Sequence, residues 1–238
     1  MRFFFVPEAP PRLRGEWEPP AQLLRHLRAL RLQEDFLLLL PLGGAVRARW
    51  DGRQGLELLG LTEMPKLPLL PVTLASAWPK GQRAEALVAR ATEMGVERIV
   101  PLACARSVVT ASDWSAARLQ RYQKVILEAC QQCGRPVPPA LDPRPAPLAR
   151  VRKEAPLAHP VLLLPGAWPL SMELSLHTPR EVLLLVGPEG GFTPEERALL
   201  QRQGVHEAGL GPTVLRIEAA GPFAAGICQH WHWQTQSN

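Results

Sequence analysis

The apolar positions of the chain change period about a quarter of the way along it. Up to residue 62 they form short strand-like runs: "FFFV" at 3–6, "FLLLLPL" at 36–42, "AVRARW" at 45–50 and "GLELLGL" at 55–61. Gly43-Gly44 and Asp51-Gly52 punctuate these runs as turns. One stretch between them, "PAQLLRHLRALRL", reads as a short helix carrying Arg25, Arg28 and Arg31. The proline-rich "EMPKLPLLP" at 63–71 reads as a linker. Beyond it strands and helices alternate. "VTLASAW" (72–78) and "RIVPLAC" (98–104) are strand-like, and "GQRAEALVARATEMG" (81–95) sets Ala84, Leu87, Val88, Ala91 and Met94 on one helical face. A helix is expected after Ser112-Asp113, with Leu119, Tyr122, Ile126, Ala129 and Cys133 at helical spacing, and 134–151 reads as irregular. "PVLLLPG" (160–166) and "EVLLLVG" (181–187) are near-continuous apolar runs, the pattern of strands buried on both faces of a parallel sheet. "EAGLG" (207–211) ends a further strand, and "AAGPFAAGI" starts a small-residue helix. The expectation is a small β-barrel domain over 1–68 and an α/β domain over 72–238.

Composition sharpens this picture in two places. The 238 residues are 46% hydrophobic, enough to bury a core. The apolar runs are too short to span a bilayer, and the N-terminus has no signal-peptide pattern, so a cytoplasmic protein with no membrane partner is expected. The formal net charge is +5, and of the 27 basic residues 23 are Arg. Guanidinium groups grip phosphate in bidentate fashion and stack on bases, which suits a nucleic-acid partner. A genome rich in G and C would give the same excess of Arg. The helix with Arg25, Arg28 and Arg31 is the candidate RNA contact; its bland reading is a solvated face. Cys104, Cys130, Cys133 and Cys228 form no disulfide framework, and "CQQC" at 130–133 has no second pair at zinc spacing. No metal is expected.

The candidate chemistry lies in two glycine-bearing strand exits. "VGPEGGFTPEE" leaves the 181–187 strand through Gly187-Pro188-Glu189-Gly190-Gly191. Neither a P-loop nor a dinucleotide fingerprint is present. Thr193-Pro194-Glu195-Glu196 reads as a capped helix start, and its carboxylates make it a poor phosphate site. The loop therefore suits a neutral or cationic ligand. "LGPTVLRIEAAGPF" at 210–223 is a second Gly-Pro exit, carrying Arg216 and Glu218 ahead of a helix. Those two are either a surface ion pair or catalytic groups beside a ligand loop.

Together the two motifs resemble the SPOUT-superfamily methyltransferases that methylate N3 of a 16S ribosomal RNA uridine. "KGQRAEALVARATEMGVERIVPL" at 80–102, Arg106 and "EACQQCGRP" at 128–136 agree. "MRFFF" and "HLRALRL" are similar to that family's PUA-like RNA-binding barrel. The resemblance covers nearly the whole chain. It implies a trefoil-knotted α/β domain, a homodimer, S-adenosylmethionine as methyl donor, and 16S ribosomal RNA or the small ribosomal subunit as partner. Leu164, Leu185, Val186, Gly187, Glu189, Gly190, Gly191, Leu210, Gly211, Val214 and Leu215 would then surround the donor. Arg216 would stabilise charge on the uracil carbonyls, and Glu218 would orient Arg216 or, if desolvated, take the N3 proton. Arg106 is a further candidate for the active face. The chain departs from the family pattern at Thr213, where Arg is common, at Ala219, where Thr is common, and at Gly43-Gly44, where many members have Asp-Gly. A different RNA target, or an RNA-binding assembly role without catalysis, are the alternatives.

Overall fold

The computed structural model of the chain describes residues 2–32, 34–41, 43–53, 55–110 and 113–236. They form two compact units. One comprises Met1–Leu67 with Cys130–Pro136, the other Pro68–Ala129 with Val137–Asn238.

The first unit contains β1 (Phe3–Phe5), β2 (Arg14–Trp17), α1 (Ala21–Leu30), β3 (Phe36–Leu39), β4 (Ala45–Trp50) and β5 (Leu56–Thr62). Its sheet runs in the order β1-β3-β4-β5-β2 and is mixed: β1 lies parallel to β3, and the remaining pairs are antiparallel. Strand β2 is the element that the hydrophobic pattern misses, because "RGEW" has no apolar alternation and lies largely exposed. The "FLLLLPL" strand stops at Leu39, and Leu42 lies outside the described residues. Helix α1 buries Leu23 and Leu27, one turn apart, against Phe4, Phe36, Leu38 and Leu58. Its opposite face exposes Arg25 and Arg28. Arg31 is not on the helix: it is the C-cap, in the left-handed conformation, with its N–H donated to the Arg28 carbonyl.

The second unit follows the β–α alternation. Its strands are β6 (Val72–Ala77), β7 (Arg98–Ala103), β8 (Ala140–Leu141), β9 (Ala146–Pro147), β10 (His159–Leu163), β11 (Val182–Val186) and β12 (His206–Ala208). Its helices are α2 (Gln82–Glu93), α3 (Ala116–Cys133), α4 (Leu148–Glu154), α5 (Leu170–His177), α6 (Pro194–Arg202) and α7 (Ile217–Gln236). Every strand pair is parallel, in the order β12-β10-β11-β6-β7-β8, with β9 beside β7. Strand β11 is buried along its whole length, as a central strand covered on both faces must be. Gln229 of α7 accepts the Leu70 N–H at 2.9 Å and donates to the Leu70 carbonyl at 2.8 Å, which ties the last helix to the segment entering β6.

Four details differ from the reading of the sequence. Residues 134–151 are not wholly irregular: they hold β8, β9 and the start of α4. Helix α5 was not anticipated, because its apolar residues fall on no single face. Met94 follows the last turn of α2 as its C-cap and is 40% exposed. On α3 the buried cysteine is Cys130, not Cys133. Ser112 lies outside the described residues. Among the described residues no helix is long and apolar enough to cross a membrane.

Candidate functional site

Parallel strands send all their carboxyl ends to one edge of the sheet, the usual place for a ligand in an open α/β fold. The exits of β10, β11 and β12 meet there around a cavity of about 390 Å³. Leu163–Pro165 come from the end of β10 and its exit, Val186–Glu189 with Gly191 and Phe192 from the end of β11 and its exit, and Leu210, Gly211 and Thr213–Arg216 follow β12, with Ile217 and Ala220 of α7 completing the wall. The lining is mostly apolar. Val214 is 80% exposed and Leu215 36%, so two aliphatic side chains at the cavity face solvent.

The β11 exit is held in shape by neighbours the sequence did not point to. The Gly191 N–H closes a turn on the Pro188 carbonyl at 2.7 Å, and Gly191 has φ +68°, a conformation glycine tolerates best. Gly187 meets a different limit. A β-carbon there would stand 2.8 Å from the buried ring of Phe192. Glu189 pairs with Arg83 of α2. Arg106, in the loop after β7, donates from Nη1 to the Gly190 carbonyl at 2.6 Å. The first turn of α6 completes the brace. Thr193 and Glu196 form a reciprocal capping box, and the other Glu196 oxygen accepts the Ala105 N–H at 2.7 Å. Hydrogen bonds from its own backbone and from Thr193, with Arg106 nearby, hold the Glu195 carboxyl below the usual carboxylate range. This helix start is therefore anionic and repels phosphate.

The predicted residues divide as follows. Leu164, Val186, Gly187, Glu189, Gly191, Leu210, Gly211, Val214, Leu215 and Arg216 line the cavity. Leu185 and Gly190 do not. Leu185 is a buried core residue of β11, and a β-carbon on Gly190 would face the Arg106 side chain. Arg216 is exposed, and its carbonyl accepts the Ala219 and Ala220 N–H groups at 2.9 and 2.8 Å as α7 begins. Glu218 is in the first turn of α7, 6% exposed, with Oε2 lacking a hydrogen-bond partner. A carboxylate is favoured at a helix N-terminus, but a buried oxygen without a donor is costly, which marks the position as more than packing. Arg25, Arg28 and Arg31 belong to the first unit. The residues missed by the sequence reading are Arg83, Phe192, Ile217 and Ala220. Phe192, Ile217 and Ala220 stand inside the two strand-exit motifs and Arg83 inside the stretch before them, but only the packing of separate segments shows what each touches.

An all-parallel sheet whose carboxyl edge carries an apolar, phosphate-averse cavity is an α/β enzyme architecture, and residues 65–229 match the RNA methyltransferase domain family. The chain belongs to this family of RNA methyltransferases. It is 34% identical over 184 residues to the ribosomal RNA small subunit methyltransferase E of Mycobacterium bovis, covering 74% of this chain and 69% of that protein. The protein of the same name from Synechocystis is 33% identical over 220 residues, covering 86% of this chain and 69% of its own length. Among solved structures, the ribosomal RNA small subunit methyltransferase E of Neisseria gonorrhoeae, bound to S-adenosyl methionine, superposes with a TM-score of 0.76 at 27% identity, over 97% of each chain.

Proposed function

We propose that this RNA methyltransferase moves the methyl group of S-adenosylmethionine to N3 of one uridine in 16S ribosomal RNA. The observation that carries the proposal is the cavity itself: three strand exits around an apolar pocket, with Arg216 in its wall and no phosphate clamp. A volume of about 390 Å³ lies within the range of small-molecule sites. Its chemistry fits the donor. Leu164, Val186, Leu210 and Leu215 supply apolar surface for the adenine. The backbone groups of Gly187, Gly191 and Gly211 supply hydrogen bonds that side chains cannot obstruct. The acid-rich start of α6 tolerates a cation nearby. A bound donor would also cover Val214 and Leu215, which otherwise face water.

When bound, the donor supplies an electrophilic methyl group on a sulfonium. The rest falls to this chain. Uridine N3 is a poor nucleophile until its imide proton leaves, and the charge then spreads to O2 and O4. The Arg216 guanidinium, in the cavity wall, meets that charge. Glu218 lies two residues further on, outside the lining. Its unpartnered Oε2 is the acceptor for an Arg216 N–H, or for the N3 proton, once RNA closes over the site. Arg106 and Glu189 act on loop shape, through Gly190 and Arg83.

We read 1–68 as a PUA-like RNA-binding barrel whose Arg25, Arg28 and Arg31 contact phosphate. We read 72–238 as a trefoil-knotted SPOUT domain. Phe223 and Trp233, exposed on α7, suit burial against a second copy. A ribosomal RNA substrate supports a cytoplasmic enzyme. The test compares nucleoside digests of 16S ribosomal RNA, by mass spectrometry, from cells with and without the gene. Loss of 3-methyluridine at one position, restored by complementation, is the expected result. An unchanged 3-methyluridine content would rule the proposal out.

A further inference from the structure

The opposite edge of the parallel sheet carries a cluster that methyl transfer does not use. His159 opens β10 and His206 opens β12, so the two rings stand at the amino ends of neighbouring strands. Glu173 and His177 lie one turn apart on α5. Their polar atoms converge. Glu173 Oε1 is 2.8 Å from His159 Nε2, 3.0 Å from His206 Nδ1 and 3.1 Å from His177 Nδ1. The rings pack on each other with centroids 4.5, 4.7 and 4.8 Å apart. One ligand atom from each of the four residues falls within 4.8 Å of all the others.

This arrangement is hard to explain as an ordinary ion-pair network. Three imidazole nitrogens crowd one carboxylate oxygen, which has two lone pairs. Protonating all three rings would stack three positive charges within 5 Å of one another. Imidazole nitrogens converging on a buried carboxylate oxygen are a donor set for a divalent ion. A divalent ion at their centre would satisfy all four at once.

We propose that His159, Glu173, His177 and His206 form a zinc site. Three nitrogens and one oxygen are a zinc ligand set, with bonds of about 2.0–2.2 Å in a tetrahedron. Ligand atoms in such a tetrahedron stand about 3.3 Å apart, so small ring rotations close the cluster from its present spacing. Magnesium and calcium prefer all-oxygen shells and are selected against. Each ring binds neutral: the ion takes the place of the proton on the facing nitrogen, and the other ring nitrogen carries the proton. His177 gives up its Nδ1 contact of 3.1 Å with the Glu173 carbonyl in doing so. The side chains of His159 and Glu173 are 12% and 8% exposed and form the inner wall. Those of His177 and His206 are 33% and 42% exposed, so an ion can reach the centre from solvent. The ion would pin β12, a three-residue edge strand paired with β10, whose far end runs into the cavity rim at Leu210.

The test uses the full-length protein, stripped with a chelator and titrated with zinc against a chromophoric competitor. One zinc per chain is expected, with a higher melting temperature in zinc than in magnesium. Cobalt(II) in its place should give intense tetrahedral visible bands without a thiolate charge-transfer band, which separates this site from the cysteines. His206→Gln and His177→Gln alter exposed side chains and should fold. Each should weaken zinc binding by about 100-fold or more, beyond the roughly 10–100-fold cost of losing an outer-shell partner. The metal-free melting temperature should stay near that of the metal-free parent. Failure of the parent protein to hold zinc at micromolar concentrations would overturn the proposal. So would unchanged zinc affinity in the double variant, or a thiolate band with cobalt. None of these results bears on methyl transfer.

Discussion

Arg106 donates from Nη1 to the main-chain carbonyl of Gly190 at 2.6 Å, so a loop after one strand fixes the exit of another. The contact sets the Gly190 carbonyl and leaves the cavity wall to its neighbours. Arg106→Ala should therefore weaken donor binding about 3–10-fold, the scale of one ordinary hydrogen bond. Turnover at saturating donor should change much less. Calorimetry beside single-turnover methylation separates these. A large loss of turnover with intact donor affinity would make Arg106 a catalytic residue instead.

Two glycines of the same loop should respond to a very different degree. In Gly187→Ala the new methyl meets the buried Phe192 ring at 2.8 Å, and the overpacking should cost about 1–3 kcal/mol and reduce donor affinity. In Gly190→Ala it meets only the Arg106 side chain, at 3.3 Å, and the cost should be small. Thermal melts and donor titrations of both variants give the ranking. A Gly190→Ala protein less stable than Gly187→Ala would contradict the loop geometry.

The exposed cations around α1 make a separate prediction. Replacing Arg25, Arg28 and Arg31 together with Gln should weaken RNA binding. The plot of log K against log[salt] should become shallower by about 2–3, as three lost phosphate contacts require. Arg28 also donates to the Arg53 carbonyl at 3.1 Å, so its single replacement should show a small stability change as well. Unchanged affinity and slope in the triple variant would make this an ordinary solvated face.

Burial pushes the thiols of Cys104, Cys130 and Cys228 up to about 12, while Cys133 is exposed. At pH 8 a thiol reagent should label one cysteine quickly and three only on unfolding. The linkage follows in sign. The unfolded thiols ionise near 9, and the folded ones keep their protons, so stability should fall as pH rises from about 9 toward 12. Fast labelling of Cys104 in the native protein would contradict this.

What the sequence made legible was local. Leu23 and Leu27 declare α1 by their spacing, the unbroken apolar run of β11 declares a central strand, and Thr193 to Glu196 declares the start of α6. The Gly-Pro exits marked the cavity because glycine admits backbone conformations and close approaches closed to other residues, and proline fixes φ beside it. The braces were not legible. The pairing of Arg83 with Glu189 and of Ala105 with Glu196 joins distant segments, and nothing in either segment specifies the other. The histidine cluster was hidden for the same reason: its members come from three elements, and only the parallel pairing of β10 with β12 brings His159 toward His206. Strand β2 and helix α5 were invisible because their side chains follow neither a twofold nor a helical period.

The cavity at the carboxyl edge is proposed to hold the methyl donor, with Arg216 in its wall serving the acceptor base. The most direct measurement is single-turnover methylation of small ribosomal subunits, or their RNA, from cells lacking the gene. It uses isotopically labelled S-adenosylmethionine and the parent protein beside Arg216→Ala. Label in 3-methyluridine alone is expected. So is a fall of about 10²–10³ in rate for Arg216→Ala at near-parent donor affinity, with partial recovery in Arg216→Lys, whose single ammonium lacks the planar fork. Label in a ribose methyl group, or a parent-like rate in Arg216→Ala, would contradict the proposal.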